Sequence, residues 1–125
     1  MRQVISTDNA PKAIGPYSQA IRANGLIFVS GQTPIDPATQ QLLNGNIGEQ
    51  TERVLRNIQA ILTQAGSSMA KVVRCGVFLK DMSDFTAMNE VYGKFFKSEP
   101  PARTTIQAAK LPKDCMVEID AIALE

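Results

Sequence analysis

The sequence predicts an α+β fold in which two helices cover one face of a mixed six-stranded sheet. Three observations lead there. Two stretches carry apolar residues at helical spacing, and the other apolar runs are short, often β-branched, and bounded by Gly, Pro, Asn or Asp. Their order, β-β-β-α-β-α-β-β, places each helix between two strands. Strand–helix–strand connections join parallel strands, and right-handed crossovers that step the same way put both helices on one face. At 125 residues the chain is expected to form one domain, 1–125, with a single core.

Residues 7–16 hold Asn9-Ala10-Pro11 and Gly15-Pro16, breaker pairs that predict an ordered loop. Tyr17 to Ala23 alternates loosely and is expected to be a strand. Asn24-Gly25 predicts a two-residue hairpin turn, and the apolar run Leu26-Ile27-Phe28-Val29 follows it. A run this apolar needs cover on both faces. Pro34 to Gly48 is polar and turn-rich, and is expected to be a loop. Over residues 47–65, Val54, Leu55, Ile58, Ile61, Leu62 and Ala65 make one helical stripe, which Gly66 stops. Val72 to Leu79 reads as a strand. Met82-Ser83-Asp84 is expected to cap a second helix bearing Phe85, Met88, Tyr92, Phe95 and Phe96, and Pro100-Pro101 ends that region. Thr104 to Ala108 and Met116 to Leu124 are the last strands, joined through Leu111-Pro112-Lys113-Asp114. Helices on one side leave the second face bare, yet Ala121, Ile122, Ala123 and Leu124 supply apolar groups to both. A homo-oligomer packed sheet against sheet is the expected resolution.

Composition narrows the chemistry. Thirteen Lys+Arg against twelve Asp+Glu give a net charge of +1, with no basic block to hold a nucleic-acid backbone. No apolar stretch spans a bilayer, and Met1 leads through Val4-Ile5 into polar sequence without the pattern of a signal peptide. Two cysteines fit a reducing compartment, so a cytoplasmic location is expected, an organelle remaining open. There is no histidine, which removes the commonest zinc ligand, the Ser-His-Asp triad and the Cys-His pair. No metal site and no cofactor are expected. Catalysis near neutral pH must then use carboxylates, Lys, Tyr or Cys, or a substrate that is already reactive.

Two residues stand out in the last quarter. Arg103 follows Pro100-Pro101 at the entry to a β-branched strand, beside the hydroxyls of Thr104 and Thr105. It is either a solvated or ion-paired strand-entry arginine, or a fork that binds a small carboxylate bidentately. Glu118 interrupts Val117-Glu118-Ile119 and points away from both neighbours. It is either a solvent-facing residue of an alternating strand, as Asp120 on the same face suggests, or an acid/base group whose pKa Asp120 raises. Ser30-Gly31 lies at the carboxyl end of a predicted strand, where ligands of parallel sheets gather. Tyr17 after Gly15-Pro16 either anchors a loop or lines a site. Asn89 is expected on the edge of the second helix away from Phe85 and Phe96. Cys75 reads as a buried strand residue, and Cys115 has no neighbouring base to make it a nucleophile.

Pro101-Ala102-Arg103, Leu111-Pro112-Lys113-Asp114 and Val117-Glu118-Ile119 together closely resemble the signature of the RidA (YjgF) family. Asn9-Ala10-Pro11, Ile14-Gly15-Pro16-Tyr17-Ser18-Gln19, Ser30-Gly31-Gln32, Ala65-Gly66, Val77-Phe78-Leu79-Lys80-Asp81 and the segment from Phe85 to Tyr92 extend the resemblance over nearly the whole chain. Thr104 and Thr105 depart from the commonest pattern, Thr105 where many members carry Cys, and imply tuned substrate preference. The resemblance implies a chorismate-mutase-like fold with the last strand between the first two parallel strands. It also implies a homotrimer with clefts between subunits. The implied activity is hydrolysis of reactive 2-imino acids, tautomers of enamines from pyridoxal-dependent dehydratases, to 2-oxo acids and ammonia. Arg103 would clamp the carboxylate and Glu118 orient water. Tyr17, Ser30, Gly31, Asn89 and Thr105 would bind the substrate. A non-catalytic carboxylate-binding regulator and a ribonuclease or translation inhibitor are the alternatives.

Overall fold

The computed structural model describes residues 1–125. Its strands are β1 (Arg2–Ile5), β2 (Ala20–Ala23), β3 (Leu26–Gln32), β4 (Ile35–Asp36), β5 (Gln41–Leu42), β6 (Val72–Leu79), β7 (Ala102–Gln107) and β8 (Val117–Leu124). Its helices are α1 (Ile47–Gln64) and α2 (Phe85–Phe95). Six strands form one sheet in the order β1-β2-β3-β8-β6-β7, and β4 and β5 make a separate two-stranded ribbon. β6 and β7 pair in parallel, while β8 runs antiparallel to both β3 and β6. The three strands linked by helices therefore run the same way, as the crossovers require, with the last strand inserted between the first two.

Local chemistry sets the ends of the elements. Asn24 and Gly25 have φ of 52° and 78°, the left-handed pair whose twist suits a two-residue hairpin joining β2 to β3. Asn46 caps α1 through the Glu49 amide while the Glu49 carboxylate accepts from the Asn46 amide, a reciprocal capping box. At the other end Ser67 N–H reaches Leu62 O at 2.8 Å and Gly66 N–H reaches Thr63 O at 3.0 Å, with Gly66 at φ 80°. These are the paired bonds of a glycine-terminated helix. Val54, Leu55, Ile58, Ile61 and Leu62 are fully buried against Ile27, Val29, Ile119 and Ala121 of the sheet. Met88 and Tyr92 bring α2 into the same core.

Several boundaries differ from the sequence reading, each for a local reason. Tyr17, Ser18 and Gln19 are loop rather than strand, because the Gln19 side chain is spent on Thr7 and Pro11 and the Tyr17 N–H on Gly15 O. The first strand, β1, lies at Arg2–Ile5, ahead of the 7–16 loop, and pairs antiparallel with β2. The polar segment 34–48 contains the ribbon β4–β5, held by buried Asn57 of α1, whose amide donates to Ile35 O at 2.9 Å. The capping bond falls on the single 3₁₀ turn Met82–Asp84 that leads into α2, where Asp81 accepts from the Ser83 N–H; Asp84, the residue before α2, makes no such bond.

The turn at Pro112–Asp114 carries Lys113 and Asp114 at φ of 53° and 56°, with no glycine at either. Asp114 is held there by an ion pair with Lys80 at 2.9 Å; Lys113 has no such compensation. A left-handed conformation costs a non-glycine residue about 1–2 kcal/mol, and the extra freedom of an unfolded glycine returns about half of that. Lys113→Gly is therefore expected to raise unfolding stability by about 0.5–1 kcal/mol, read from a urea titration.

Candidate active site

The candidate residues gather in two places, on opposite faces of the sheet. Along β8, Val117, Ile119 and Ala121 are buried under the helices, so Glu118 and Asp120 point to the open face. Along β6, Cys75, Val77 and Leu79 take the helix side, and Arg103 and Thr105 of β7 stand opposite Cys75 and Val77. Arg103 accordingly faces α2.

The first group is a cavity of about 570 Å³ at the carboxyl end of β3, lined by Tyr17, Ser30, Gly31 and Glu118. Ile14, Thr33, Ile35, Pro112 and Lys113 complete its wall. One extra residue lies in β3 between Val29, which pairs with Ala121, and Gln32, which pairs with Ile119. This bulge turns Ser30-Gly31 out of the ladder. Gly31 is required here by close approach: a Cβ would overlap the Glu118 carboxylate. Ser30 Oγ donates to Ser18 O at 2.6 Å, tying the strand to the loop that carries Tyr17.

Glu118 joins none of the chain's ion pairs, which are Arg22–Glu125, Glu52–Arg56 and Lys80–Asp114. Burial, and then the charge of Asp120, hold its carboxyl above the usual glutamate range. Asp120 is itself fixed by the Gly76 N–H at 2.8 Å. A partly buried, unpaired carboxylate with a raised pKa can accept a proton from water near neutral pH. Both thiols are poor nucleophiles: burial raises Cys75 and pushes Cys115 up to about 11.

The second group lies between β7 and α2. Arg103 Nη1 donates to Asn89 Oδ1 at 2.8 Å, and its guanidinium carbon sits 4.7 Å from the Tyr92 ring centroid and 5.6 Å from that of Phe85. No carboxylate of the chain pairs with it. The buried Thr105 Oγ1, on the same strand face, also lacks a hydrogen-bond partner. Asn89 is not on the helix edge away from Phe85. One turn later, at i+4, it shares the face that meets Arg103, so its contact is with the arginine. Phe85 and Tyr92 were readable only as part of a core stripe. An arginine in the next strand, with no acid at a matching position, was the available signal that the stripe had a second use.

Within one chain the two groups lie far apart. Arg103 is in register with Cys75 and Glu118 with Phe78, on strands separated by β6. That is roughly 10 Å along the strands and roughly 10 Å across them, on opposite faces. Between them the open face is an apolar groove of about 390 Å³ with Phe28, Phe78, Ile106 and Ile122 along it. Phe28, on the inner strand β3, and Ile106, on the edge strand β7, are 42% and 48% exposed, a large apolar surface to leave to water on one face of the sheet.

Residues 7–125 match the family model described as Endoribonuclease L-PSP. The chain belongs to this RidA/YjgF/L-PSP family. A RutC family protein of Pyrococcus horikoshii is 53% identical over 123 residues, covering 98% of each chain. The human 2-iminobutanoate/2-iminopropanoate deaminase is 45% identical over 125 residues, covering 100% of this chain and 91% of the human one. The crystal structure of Escherichia coli TdcF with bound serine superposes with a TM-score of 0.94 at 39% identity, covering 98% of both chains. The sheet order with β8 between β3 and β6 is thus the RidA α+β fold, two helices on a mixed six-stranded sheet. No helix is long and apolar enough to cross a membrane.

Proposed function

We propose that this RidA-family chain hydrolyses small 2-imino acids to 2-oxo acids and ammonia, in a site completed by a second copy of the chain. The observation that carries the reading is a matched pair of unpaired charges: Arg103 without a carboxylate and Glu118 without a cation, each partly buried. Leaving a partly buried charge unpaired is costly, so Arg103 calls for an anion from outside the single chain and Glu118 for a hydrogen-bond donor such as water. A 2-imino acid offers a carboxylate to Arg103 and an electrophilic C2 to water held by Glu118. The 45% identity to the human deaminase and the serine held by TdcF support a small amino-acid-like ligand.

The chemistry needs only what these residues supply. Water adds to C2 as Glu118 accepts its proton, and the C=N bond becomes a single bond. Glu118 returns that proton to the nitrogen, giving a carbinolamine, and then relays the hydroxyl proton to the same nitrogen, so that ammonia leaves as the C–O bond becomes the carbonyl of the 2-oxo acid. Arg103, with Thr105 beside it, holds the carboxylate so that C2 meets the water; Tyr17, Ser30 and the Gly31 backbone line the other side. Because the two groups lie on opposite faces, the arginine of one subunit is proposed to serve the glutamate of its neighbour. A homotrimer packed through the open face, with three such clefts, fits the exposed apolar groove. Enamines released by pyridoxal-dependent dehydratases are the proposed source of substrate, and a reducing cytoplasm suits the two free cysteines.

The test is release of 2-oxobutanoate from a threonine dehydratase reaction. Adding the protein is expected to speed release. Arg103→Ala is expected to lower kcat/KM about 30–100-fold with the fold retained, the loss of a charge-assisted bidentate contact. No acceleration by folded wild-type protein would remove the proposal. The ribonuclease reading, suggested by the family description, would instead predict salt-sensitive RNA cleavage by nuclease-free protein; a net charge of +1 and the lack of histidine argue against it.

A further inference from the structure

We propose that Tyr92 and Phe85 of α2 are positioning residues for Arg103, fixing the plane in which its guanidinium meets a ligand carboxylate. With Arg103 taken as the carboxylate clamp, as above, the two rings explain how an arginine lacking a counter-ion is kept in one orientation. Its guanidinium carbon lies 4.7 Å from the Tyr92 centroid and 5.6 Å from the Phe85 centroid, and Asn89 Oδ1 takes Nη1 at 2.8 Å. Phe85, Asn89 and Tyr92 follow one another at i, i+4 and i+7 along a single helix face. One element therefore supplies both ring contacts and the hydrogen bond.

The restraint holds the cation without neutralising it. Cation–π contact attracts a guanidinium through the ring quadrupole and adds no negative charge. Burial pushes the Tyr92 phenol up, with the Cys75 thiol reinforcing it, and burial raises Cys75 as well, so both groups behind Arg103 stay neutral. The full positive charge remains for the ligand. A guanidinium is planar, and a carboxylate bound to its edge bidentately lies near the same plane. In a 2-imino acid the C=N group is conjugated with that carboxylate. Rings that set the guanidinium plane thereby set which face of C2 is turned toward the water. A lysine at 103 would have no plane to be held in.

Kinetics with 2-iminobutanoate, generated from 2-aminobutanoate by an amino-acid oxidase, test this. Tyr92→Leu is expected to lower kcat/KM about tenfold, through KM because the clamp is no longer held for the carboxylate and through kcat because C2 is no longer turned toward the water. Tyr92→Phe, which keeps the ring, is expected to stay within about twofold of wild type. If Tyr92→Leu does not fold, Phe85→Leu at the partly buried position is the second variant, with a severalfold rise in KM expected. In an Arg103→Lys background, where the cation has no plane to be set, either leucine variant should lower kcat no further. Wild-type kinetics in a folded leucine variant, or equal damage from Tyr92→Phe and Tyr92→Leu, would overturn the inference. A wild-type protein that turns over no imine would instead remove the function proposed above, leaving the two failures distinct.

Discussion

Glu118→Gln is expected to lower kcat for imine hydrolysis by about 10²–10⁴-fold, the usual range for loss of a general base, while KM changes little. The amide keeps the shape of the side chain and its place against Gly31 but cannot accept the proton from water. The same variant should fold normally. Burial and the Asp120 charge raise the pKa of Glu118 in the folded chain, so folding favours its protonated form. The stability from that group is present below the ordinary glutamate value and is lost as pH rises through the folded value. A permanently neutral glutamine therefore removes a penalty near neutral pH, and the melting temperature of Glu118→Gln should be no lower than that of wild type. Unchanged kcat in Glu118→Gln would take the glutamate out of the chemistry.

The pH profile adds a second arm. Glu118 must be ionised to accept a proton, so kcat is expected to fall on the acid side through a pKa above the ordinary glutamate value. Asp120→Asn removes the second cause of that shift while its Oδ1 can still accept from Gly76 N–H. The acid limb of the variant should move to lower pH. A limb that stays in place would mean that burial alone sets the value.

Most of the fold was legible because its signals are local. The helical stripe of α1, the Asn24-Gly25 turn and the Gly66 stop each follow from a few adjacent residues, and each stands in the structure where the sequence put it. The insertion of β8 between β3 and β6 was not legible from periodicity, since pairing partners far apart in sequence leave no local mark. It came from the family resemblance. The same limit applied to the candidate site. Arg103 and Glu118 could be picked out singly, as polar groups in strands. Their opposite faces became visible only once Cys75 and Val117 were seen to be buried on the helix side. In the sequence Asp120 reads as a plain outward residue, yet it bonds the Gly76 amide across the ladder, a contact that only the register reveals.

The second large effect is expected at a residue that touches no substrate. Gln19 is 4% exposed, and its side chain closes the loop that carries Ile14 and Tyr17. Its Oε1 accepts from the Thr7 N–H at 2.7 Å, and its Nε2 donates to Thr7 O at 3.1 Å and Pro11 O at 2.8 Å. The chain cannot satisfy these three buried groups by regular pairing, because Pro11 and the Gly15-Pro16 pair keep the loop out of any ladder. Gln19→Leu fills similar space but leaves one amide and two carbonyls without partners. At about 1–3 kcal/mol for each buried unpaired group, partly relieved by entering water, the loss is expected to be about 3–5 kcal/mol. In a chain of this length that is a fall in Tm of about 10–20 °C. Activity should fall as well at temperatures where the variant is folded, since Tyr17 lies in this loop and Ser30 is tied to it through Gln19 O and Ser18 O. Gln19→Glu separates the contributions: it keeps an acceptor for Thr7 N–H and turns a carboxylate toward two carbonyls. It should be least harmful at low pH, where its protonated oxygen can donate to one of them. A Gln19→Leu protein that melts within a few degrees of wild type would show that water replaces the amide, and that the loop is held by packing instead.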